Sequence, residues 1–190
     1  MYDGTDTVVL YDELAYEDVL PLAWKPHAGP IDSGLSATWQ DRNLRLLQAC
    51  AAIEEHAGIE KQEEAAANAA DLARMDLKIN LILDLVGQLV AASQNRPEPR
   101  SIRFNAHGAE WTEPAPASPA GAHGVLELYI RESLPQPLML PAQIVAGGNG
   151  GQLRARFVGI GEPVSNLIEK LAFRRHRRRI AGARHPQRRT

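Results

Sequence analysis

The sequence has few of the residues on which several protein classes depend. It contains a single cysteine, Cys50, among 190 residues, which excludes an internal disulfide scaffold or four-cysteine zinc site and favours a reducing compartment. Only 5% of the residues are aromatic, so the core must consist mainly of Leu, Val, Ile and Ala. The most apolar stretch, residues 79–92, is interrupted by Asn80, Asp84 and Gln88, and it is too short and too polar to span a membrane.

The sequence also lacks the motifs of common enzymes. No Gly-x-Ser-x-Gly nucleophile motif occurs. No Gly-Lys-Ser/Thr follows the glycine-rich stretch 147–151, so this stretch is typical of a hairpin turn and not of a phosphate-binding loop. The six histidines are far apart in the sequence and form no HxxxH pair. These features predict a non-enzymatic protein without a metal or other cofactor.

Charge is distributed unevenly along the chain. Residues 171–190 contain eight arginines and no acidic residue, whereas the other 170 residues contain 13 basic and 23 acidic groups, a net charge of about −10. The basic tail either contacts phosphates or is a solvated helix end, where cations suit the helix dipole. Because no aromatic residue is interleaved with it, nucleic acid is not expected as a partner. Its central run consists of Arg174, Arg175, Arg177, Arg178 and Arg179.

The N-terminal part, residues 1–35, is acidic and contains several prolines, among them Pro21 and Pro26. Its first residues are acidic where a signal peptide would be basic, which favours a cytoplasmic protein. The prolines and glycines interrupt any long helix or strand. Residues 1–35 are therefore predicted to form an extended arm that packs on the rest of the protein through its apolar residues.

Residues 36–95 are predicted to form a helical hairpin, because proline is absent from 36–94 and good helix formers dominate. The first helix is expected to end at a turn near Gly58. The second is expected to run from about residue 59 to residue 93, a length of roughly 50 Å.

Apolar residues of the second predicted helix recur at alternating intervals of three and four, which defines a heptad seam. Either the first helix covers this seam within the chain, or the seam also joins several copies of the chain. Further apolar residues beside the seam favour the second alternative, a helical bundle in a homo-oligomer, with a tetramer among the possible assemblies. The seam consists of Leu72, Met75, Ile79, Ile82, Val86 and Leu89.

Residues 96–190 show the pattern of a small antiparallel β-barrel followed by a final helix. Apolar and polar residues alternate between 124 and 158, as expected for strands with one buried face. Short strands separated by turn residues are typical of a barrel. The helix begins near Pro163, with Val164, Ile168 and Leu171 on one face.

The layout of these last hundred residues resembles the PilZ domain, a six-stranded β-barrel closed by a C-terminal helix. The resemblance implies an α+β fold, in which the predicted two-helix segment precedes the barrel. It rests on the stretches 102–111, 125–130, 140–145, 152–158 and 164–179.

PilZ domains usually bind the bacterial second messenger cyclic di-GMP through two elements, and this sequence departs from both. One element is an RxxxR pair ahead of the first barrel strand, and the other is a (D/N)xSxxG turn. In the turn, Gly108 matches the glycine, Asn105 replaces the serine and Arg103 replaces the acidic or amide residue. Arg96 and Arg100 have the RxxxR spacing, but they stand closer to the turn than the family pattern does.

The departures imply a divergent PilZ protein that does not bind cyclic di-GMP. Such members of the family act through protein contacts in type IV pilus assembly, motility or virulence, and a heptad helix would suit an adaptor of this kind. The alternative is a cyclic di-GMP receptor with altered contacts, in which the ligand would be held by Arg96, Arg100, Arg103, Asn105 and Gly108.

Overall fold

The computed structural model of the chain describes residues 9–59, 67–93, 95–114, 117–147 and 151–183. Three helices and eight strands are assigned within these ranges. In chain order they are β1 (Val9–Leu10), β2 (Glu13–Leu14), β3 (Tyr16–His27), α1 (Ser33–Ile59), α2 (Ala67–Ser93), β4 (Pro99–Phe104), β5 (Gly108–Thr112), β6 (His123–Leu128), β7 (Leu138–Gly147), β8 (Gln152–Phe157) and α3 (Glu162–Ala183).

Six of the strands close into an antiparallel barrel with the order β3-β4-β5-β8-β7-β6. This confirms the predicted α+β fold with a six-stranded barrel and a C-terminal helix. Strands β7 and β8 pair with each other, as a hairpin requires, although residues 148–150 of the predicted turn lie outside the described residues. The two remaining strands, β1 and β2, pair only with each other.

The first barrel strand lies in the segment for which the sequence predicted an arm. The first half of β3 pairs with β4 and its second half pairs with β6. The prediction that residues 1–35 form an arm and that 96–190 contain the whole barrel is therefore wrong. Pro21 is the last residue of β3 that pairs with β4, and a proline is tolerated at such a change of partner because the regular ladder ends there.

The helical segment consequently lies between the first and second barrel strands and does not precede the barrel. Helix α1 ends at Ile59, one residue beyond the glycine near which the sequence placed the turn, and residues 60–66, which follow, lie outside the described residues. Helix α2 ends at Ser93, where the sequence placed its end. No helix within the described part of the chain has the length and the apolar run that crossing a membrane requires.

The barrel core follows from the alternation of its strands. In β8, Leu153, Ala155 and Phe157 point inward, while Arg154 and Arg156 are exposed. The rings of Trp24 on β3 and Trp111 on β5 lie 5.8 Å apart in this core. Phe104 and Phe157 contribute two more buried rings, and aliphatic side chains fill the rest, as the low aromatic content requires.

Helices α1 and α3 pack together, and α1 also packs on β7. The fully buried carboxamide of Asn43 on α1 donates a hydrogen bond to the backbone oxygen of Met139 over 2.7 Å and accepts one from its backbone nitrogen over 2.8 Å. About two helical turns further, Cys50 is fully buried. Burial raises the pKa of its thiol to about 11, so Cys50 acts as a packing residue and not as a reactive thiol.

The substitution Asn43→Ala should lower the free energy of unfolding by about 2–4 kcal/mol, because two backbone groups of Met139 lose their partners. Urea denaturation measures this loss. Arg45→Ala, in the same helix, is the control, since the exposed Arg45–Asp41 pair is worth at most about 1 kcal/mol. Equal losses in the two variants would contradict the anchoring role of Asn43.

Candidate functional site

The turn between β4 and β5 corresponds to the ligand-binding turn of the PilZ pattern, and its side chains are engaged within the protein. Asn105 is 2% exposed. Its carboxamide oxygen accepts hydrogen bonds from the backbone nitrogens of His107 over 2.9 Å and Gly108 over 3.1 Å. Its carboxamide nitrogen donates to the backbone oxygen of Leu10 over 2.7 Å. Asn105 therefore holds the turn in shape and ties it to the N-terminal residues.

An N-terminal hairpin, formed by β1 and β2 (residues 9–14), covers this turn. Leu10 is 1% exposed. The Tyr11 ring lies against Gly108, where an added Cβ would come within 2.5 Å of the ring and 2.2 Å of the Ala155 oxygen. The guanidinium of Arg156 lies over the Tyr11 ring, with its central carbon 5.0 Å from the centre of the ring. Burial raises the pKa of the Tyr11 phenol, and the charges of the neighbouring arginines oppose this shift.

A charged contact at the edge of the turn adds to this cover. His107 Nε2 lies 2.9 Å from a carboxylate oxygen of Glu13. Together with Glu169 on α3, these two residues form the one group among the described residues whose ligand atoms, all within 4.8 Å of one another, could hold a metal ion. All three are exposed, and the His107–Glu13 contact accounts for the approach of two of them without an ion.

The predicted arginine clamp does not form in the structure. Arg96 donates a hydrogen bond to the backbone oxygen of Leu134 and lies over the Tyr129 ring. Arg100 instead forms an ion pair of 2.9 Å with Glu113. Arg103 lies on β4, in register with Glu17 on one side and Glu110 on the other. Arg96 and Arg100 are therefore engaged with different partners within the protein, and Arg103 lies between acidic residues of the two neighbouring strands.

The predicted basic tail is partly used inside the protein. Glu54, whose side chain is 2% exposed, lies 3.3 Å from both Arg174 and Arg175. Arg175 also donates to the backbone oxygen of Ile130 over 2.6 Å and stacks over the Tyr16 ring. Burial and a hydrogen bond to Asp18 raise the pKa of Tyr16 to about 12, which keeps the phenol neutral beside that carboxylate.

For Arg174 and Arg175 these contacts differ from both alternatives that the sequence offered, a phosphate-binding tail and a solvated helix end. Arg174 and Arg175 fasten α3 to α1. Arg177 is exposed and lies over the Phe173 ring. The side chains of Arg178 and Arg179 lie outside the described residues.

Helix α2 forms the second candidate site. All six residues of the predicted seam are between 49% and 72% exposed, so α1 does not cover them. Further apolar residues on α2 are exposed to a similar degree, namely Leu77, Leu81, Leu83 and Leu85. A cleft of about 440 Å³, lined mostly by apolar side chains of both helices, lies between α1 and α2.

The loop between β6 and β7 closes one end of this cleft. There α2 approaches so closely that a Cβ on Gly87 would lie 2.1 Å from the backbone oxygen of Ser133. Glycine is therefore required at this point of the helix for the observed approach. The contact fixes one turn of α2 and leaves its long apolar surface open.

The comparison with protein families identifies the chain. Residues 47–185 match the model described as "atypical PilZ domain, cyclic di-GMP receptor". The chain belongs to the atypical PilZ family. This confirms the resemblance that the sequence layout suggested. A comparison with curated protein sequences finds no match.

A solved PilZ structure matches over nearly the whole chain. It is a pathogenic protein from Xanthomonas campestris, described as a new tetrameric PilZ domain that self-assembles through an unusual helical bundle. The two chains are 30% identical, the match covers 90% of this chain and 93% of that chain, and the TM-score is 0.70. The two chains therefore share one overall fold.

Sequence reasoning missed three groups at these sites. The hairpin residues Tyr11 and Glu13 were predicted as part of an irregular arm. Arg156, their partner on the barrel, looks like an ordinary outward residue of an alternating strand. Glu54 follows Cys50 by four residues, and this helical spacing was a usable signal that the carboxylate lies on the buried face of α1.

Asn105→Ser, which introduces the family residue, should loosen the N-terminal hairpin. A serine hydroxyl is too short to bond both the turn nitrogens and the Leu10 oxygen. We expect hydrogen exchange in peptides covering residues 9–15 to rise by about five- to tenfold, which corresponds to about 1 kcal/mol of lost local stability.

Hydrogen–deuterium exchange with mass spectrometry measures this change. Peptides from β7 and β8 serve as the internal control, because both strands lie in the closed barrel. Unchanged protection of residues 9–15 would mean that Asn105 does not hold the hairpin.

Proposed function

We propose that this PilZ protein is a non-enzymatic regulatory adaptor, which forms a homotetramer through α2 and acts through protein contacts without binding cyclic di-GMP. It would work in the cytoplasm, in the control of type IV pili, motility or virulence. The description of the Xanthomonas campestris relative as a pathogenic protein supports a role in virulence.

The observation that carries the proposal is the apolar surface of α2. Ten large apolar side chains along this helix are about half to three-quarters exposed in the protomer. Soluble monomers rarely expose a continuous apolar patch above roughly 300–600 Å². A bundle of α2 helices would bury the seam, and the tetrameric helical bundle of the relative supports this assembly.

The geometry around the turn supports the absence of cyclic di-GMP binding. The N-terminal hairpin lies on the turn, and Asn105 uses its carboxamide within the protein. In this sequence no arginine or lysine stands ahead of β3, which is where the family pattern places its RxxxR pair. A phosphate ligand would therefore meet a covered turn without its usual cationic clamp.

A tetramer would allow the protein to bind a partner through several copies of the same surface. Each protomer carries a closed barrel together with α1 and α3 outside the proposed bundle. Four copies of the same surface raise the effective concentration for a partner that is itself repeated, as the subunits of an assembly machine are. This argument supports an adaptor more than an isolated sensor.

The alternative function is cyclic di-GMP reception through altered contacts, and the family description as a cyclic di-GMP receptor favours it. It requires Arg96, Arg100, Arg103 and Asn105 to converge on one ligand. Arg96 and Arg100 would first have to leave Leu134 and Glu113, and Asn105 would have to release the hairpin. Each step lowers the affinity that this site could reach.

The double substitution Ile82→Ala and Leu89→Ala should dissociate the tetramer. Each side chain that is fully buried in a bundle contributes roughly 2–5 kcal/mol on truncation, and the loss recurs in every copy. Sedimentation velocity at micromolar concentration would then report dimers or monomers.

Leu77→Ala with Leu81→Ala is the matched control. These residues are about as exposed in the protomer as the first pair, but they lie off the seam. The seam assignment is contradicted if the control pair dissociates the assembly while the seam pair leaves it intact.

Calorimetric titration of the full-length protein with cyclic di-GMP should give no saturable heat up to about 100 μM ligand, which means binding weaker than about −5.5 kcal/mol. A second temperature guards against a reaction whose enthalpy happens to be zero. Saturable binding near micromolar would favour the alternative function, and Arg100→Ala and Arg103→Ala would then test the altered clamp.

A further inference from the structure

The two halves of β3 differ in how their edges are covered. Pairing with β6 covers Leu22–His27. One further hydrogen bond, from the backbone nitrogen of Tyr129 to the Pro21 oxygen over 3.0 Å, continues this ladder. Before Pro21, β4 is the one strand of the described residues that pairs with β3. Around Val19, the edge of β3 on the β6 side is therefore left without a neighbouring strand.

The backbone of Val19 points toward this uncovered edge. Alternate residues of an antiparallel strand direct their backbone groups to the same side, so Val19 faces the same way as Pro21. Its backbone nitrogen donates a hydrogen bond over 2.8 Å to the side-chain carboxylate of Asp18, and such charged side chains protect strand edges from uncontrolled pairing. The Val19 side chain is 62% exposed, so it offers an apolar contact to a partner.

A cavity of about 970 Å³ lies beside the same edge. It is lined by residues 16–21 of β3 and by residues 129–132, which follow β6. Sites for small molecules usually measure about 300–1,000 Å³, so this cavity is at the upper end of that range. A strand edge beside so large a space fits an extended peptide, whose backbone pairs with the edge while its alternate side chains enter the cavity.

The charges around the cavity favour a basic partner. Three of the lining residues are arginines that donate hydrogen bonds to oxygen atoms of the protein itself, namely Arg96, Arg131 and Arg175. Four of the lining residues are acidic, namely Glu17, Asp18, Glu54 and Glu132. Glu54 is held by arginines of α3. The other three carboxylates make the cavity complementary to a lysine or arginine of a partner.

We propose that the uncovered edge of β3 is a strand-addition site for an extended segment of a partner protein, in which a β-branched apolar residue stands two positions from a lysine or arginine. The apolar residue would lie against Val19, and the basic residue, on the same face, would lie near Glu17. Cross-strand pairs of both kinds stabilise a sheet. The inference rests on the proposed function, because it names the contact through which a non-enzymatic adaptor would bind its partner.

Fluorescence anisotropy of a labelled peptide, titrated with the full chain, tests this site. The probe is the capped peptide Lys-Thr-Val-Thr-Lys, which presents the same side chains in either strand direction. We expect saturable binding with a dissociation constant of about 100 μM or below, as a small transient interface allows. N-methylation of its three central residues keeps the side chains and removes the backbone donors, so binding should weaken at least about tenfold. Glutamates in place of the lysines should also weaken binding, because they would meet carboxylates.

Two substitutions at Val19 locate the binding on the protein. Val19→Pro removes the backbone donor at the uncovered edge, where a proline is tolerated because no ladder bond is lost. Val19→Lys keeps this donor and places a cation beside the lysines of the probe. Each should weaken binding at least about tenfold. Val145→Lys is the matched control, since Val145 on β7 is 43% exposed and lies outside the cavity lining; it should bind like the wild type.

The outcomes separate this inference from the proposed function. Absence of saturable binding, or equal binding by the wild type and the Val19 variants, overturns the strand-addition site and leaves the adaptor proposal to its sedimentation test. Dissociation of the assembly by Val19→Lys would assign the edge to a contact between copies of this chain, which also overturns the partner site. Peptide binding in the expected order by a protein that sediments as a monomer supports the site and contradicts the tetrameric adaptor. If Val19→Pro lowers the melting temperature, the comparison of Val19→Lys with Val145→Lys decides.

Discussion

The pairing of β3 with two strands at once is the interaction on which the rest of the structure depends. Its first half closes the barrel against β4 and its second half against β6, so without β3 the sheet would have two open edges. Because β3 and β4 are neighbours, the chain between them must leave the barrel and return to the same side of it. A helical hairpin meets this requirement. The position of α1 and α2 therefore follows from the closure of the barrel.

The two helices of this insertion have different surroundings. Helix α1 is held to β7 by the hydrogen bonds between its Asn43 and the backbone of Met139. It is held to α3 by its Glu54 carboxylate, which lies beside two arginines of that helix. A buried carboxylate is stable only when it is paired, so α3 and α1 fix each other. Helix α2 is held where Gly87 meets Ser133, while its apolar residues stay exposed. The barrel with α1 and α3 forms the stable body of the protomer, and α2 supplies the surface on which an assembly can form.

The sequence predicted the elements whose signal is local, and it failed where the signal depends on a partner far along the chain. The strands after residue 124 were predicted correctly from the alternation of apolar and polar residues. The end of α2 at Ser93 was predicted correctly from the composition of the segment. Strand β3 was missed because Pro21 and Pro26 argue against a strand, whereas the strand is stabilised by partners about 80 to 100 residues away. Arg174 and Arg175 were interpreted as a surface tail because their partner, Glu54, lies on another helix.

The turn at Asn105 illustrates how a family site can keep its shape and change its occupant. Gly108 is still required, now because the Ala155 backbone and the Tyr11 ring lie where its side chain would be. Asn105 still bonds the turn nitrogens, but its free donor is directed to the chain's own Leu10. A polar pocket deprived of its ligand would leave such groups unpaired, which is costly when they are buried. An occupant from the same chain removes this cost, because the Leu10 oxygen accepts the hydrogen bond of the Asn105 carboxamide.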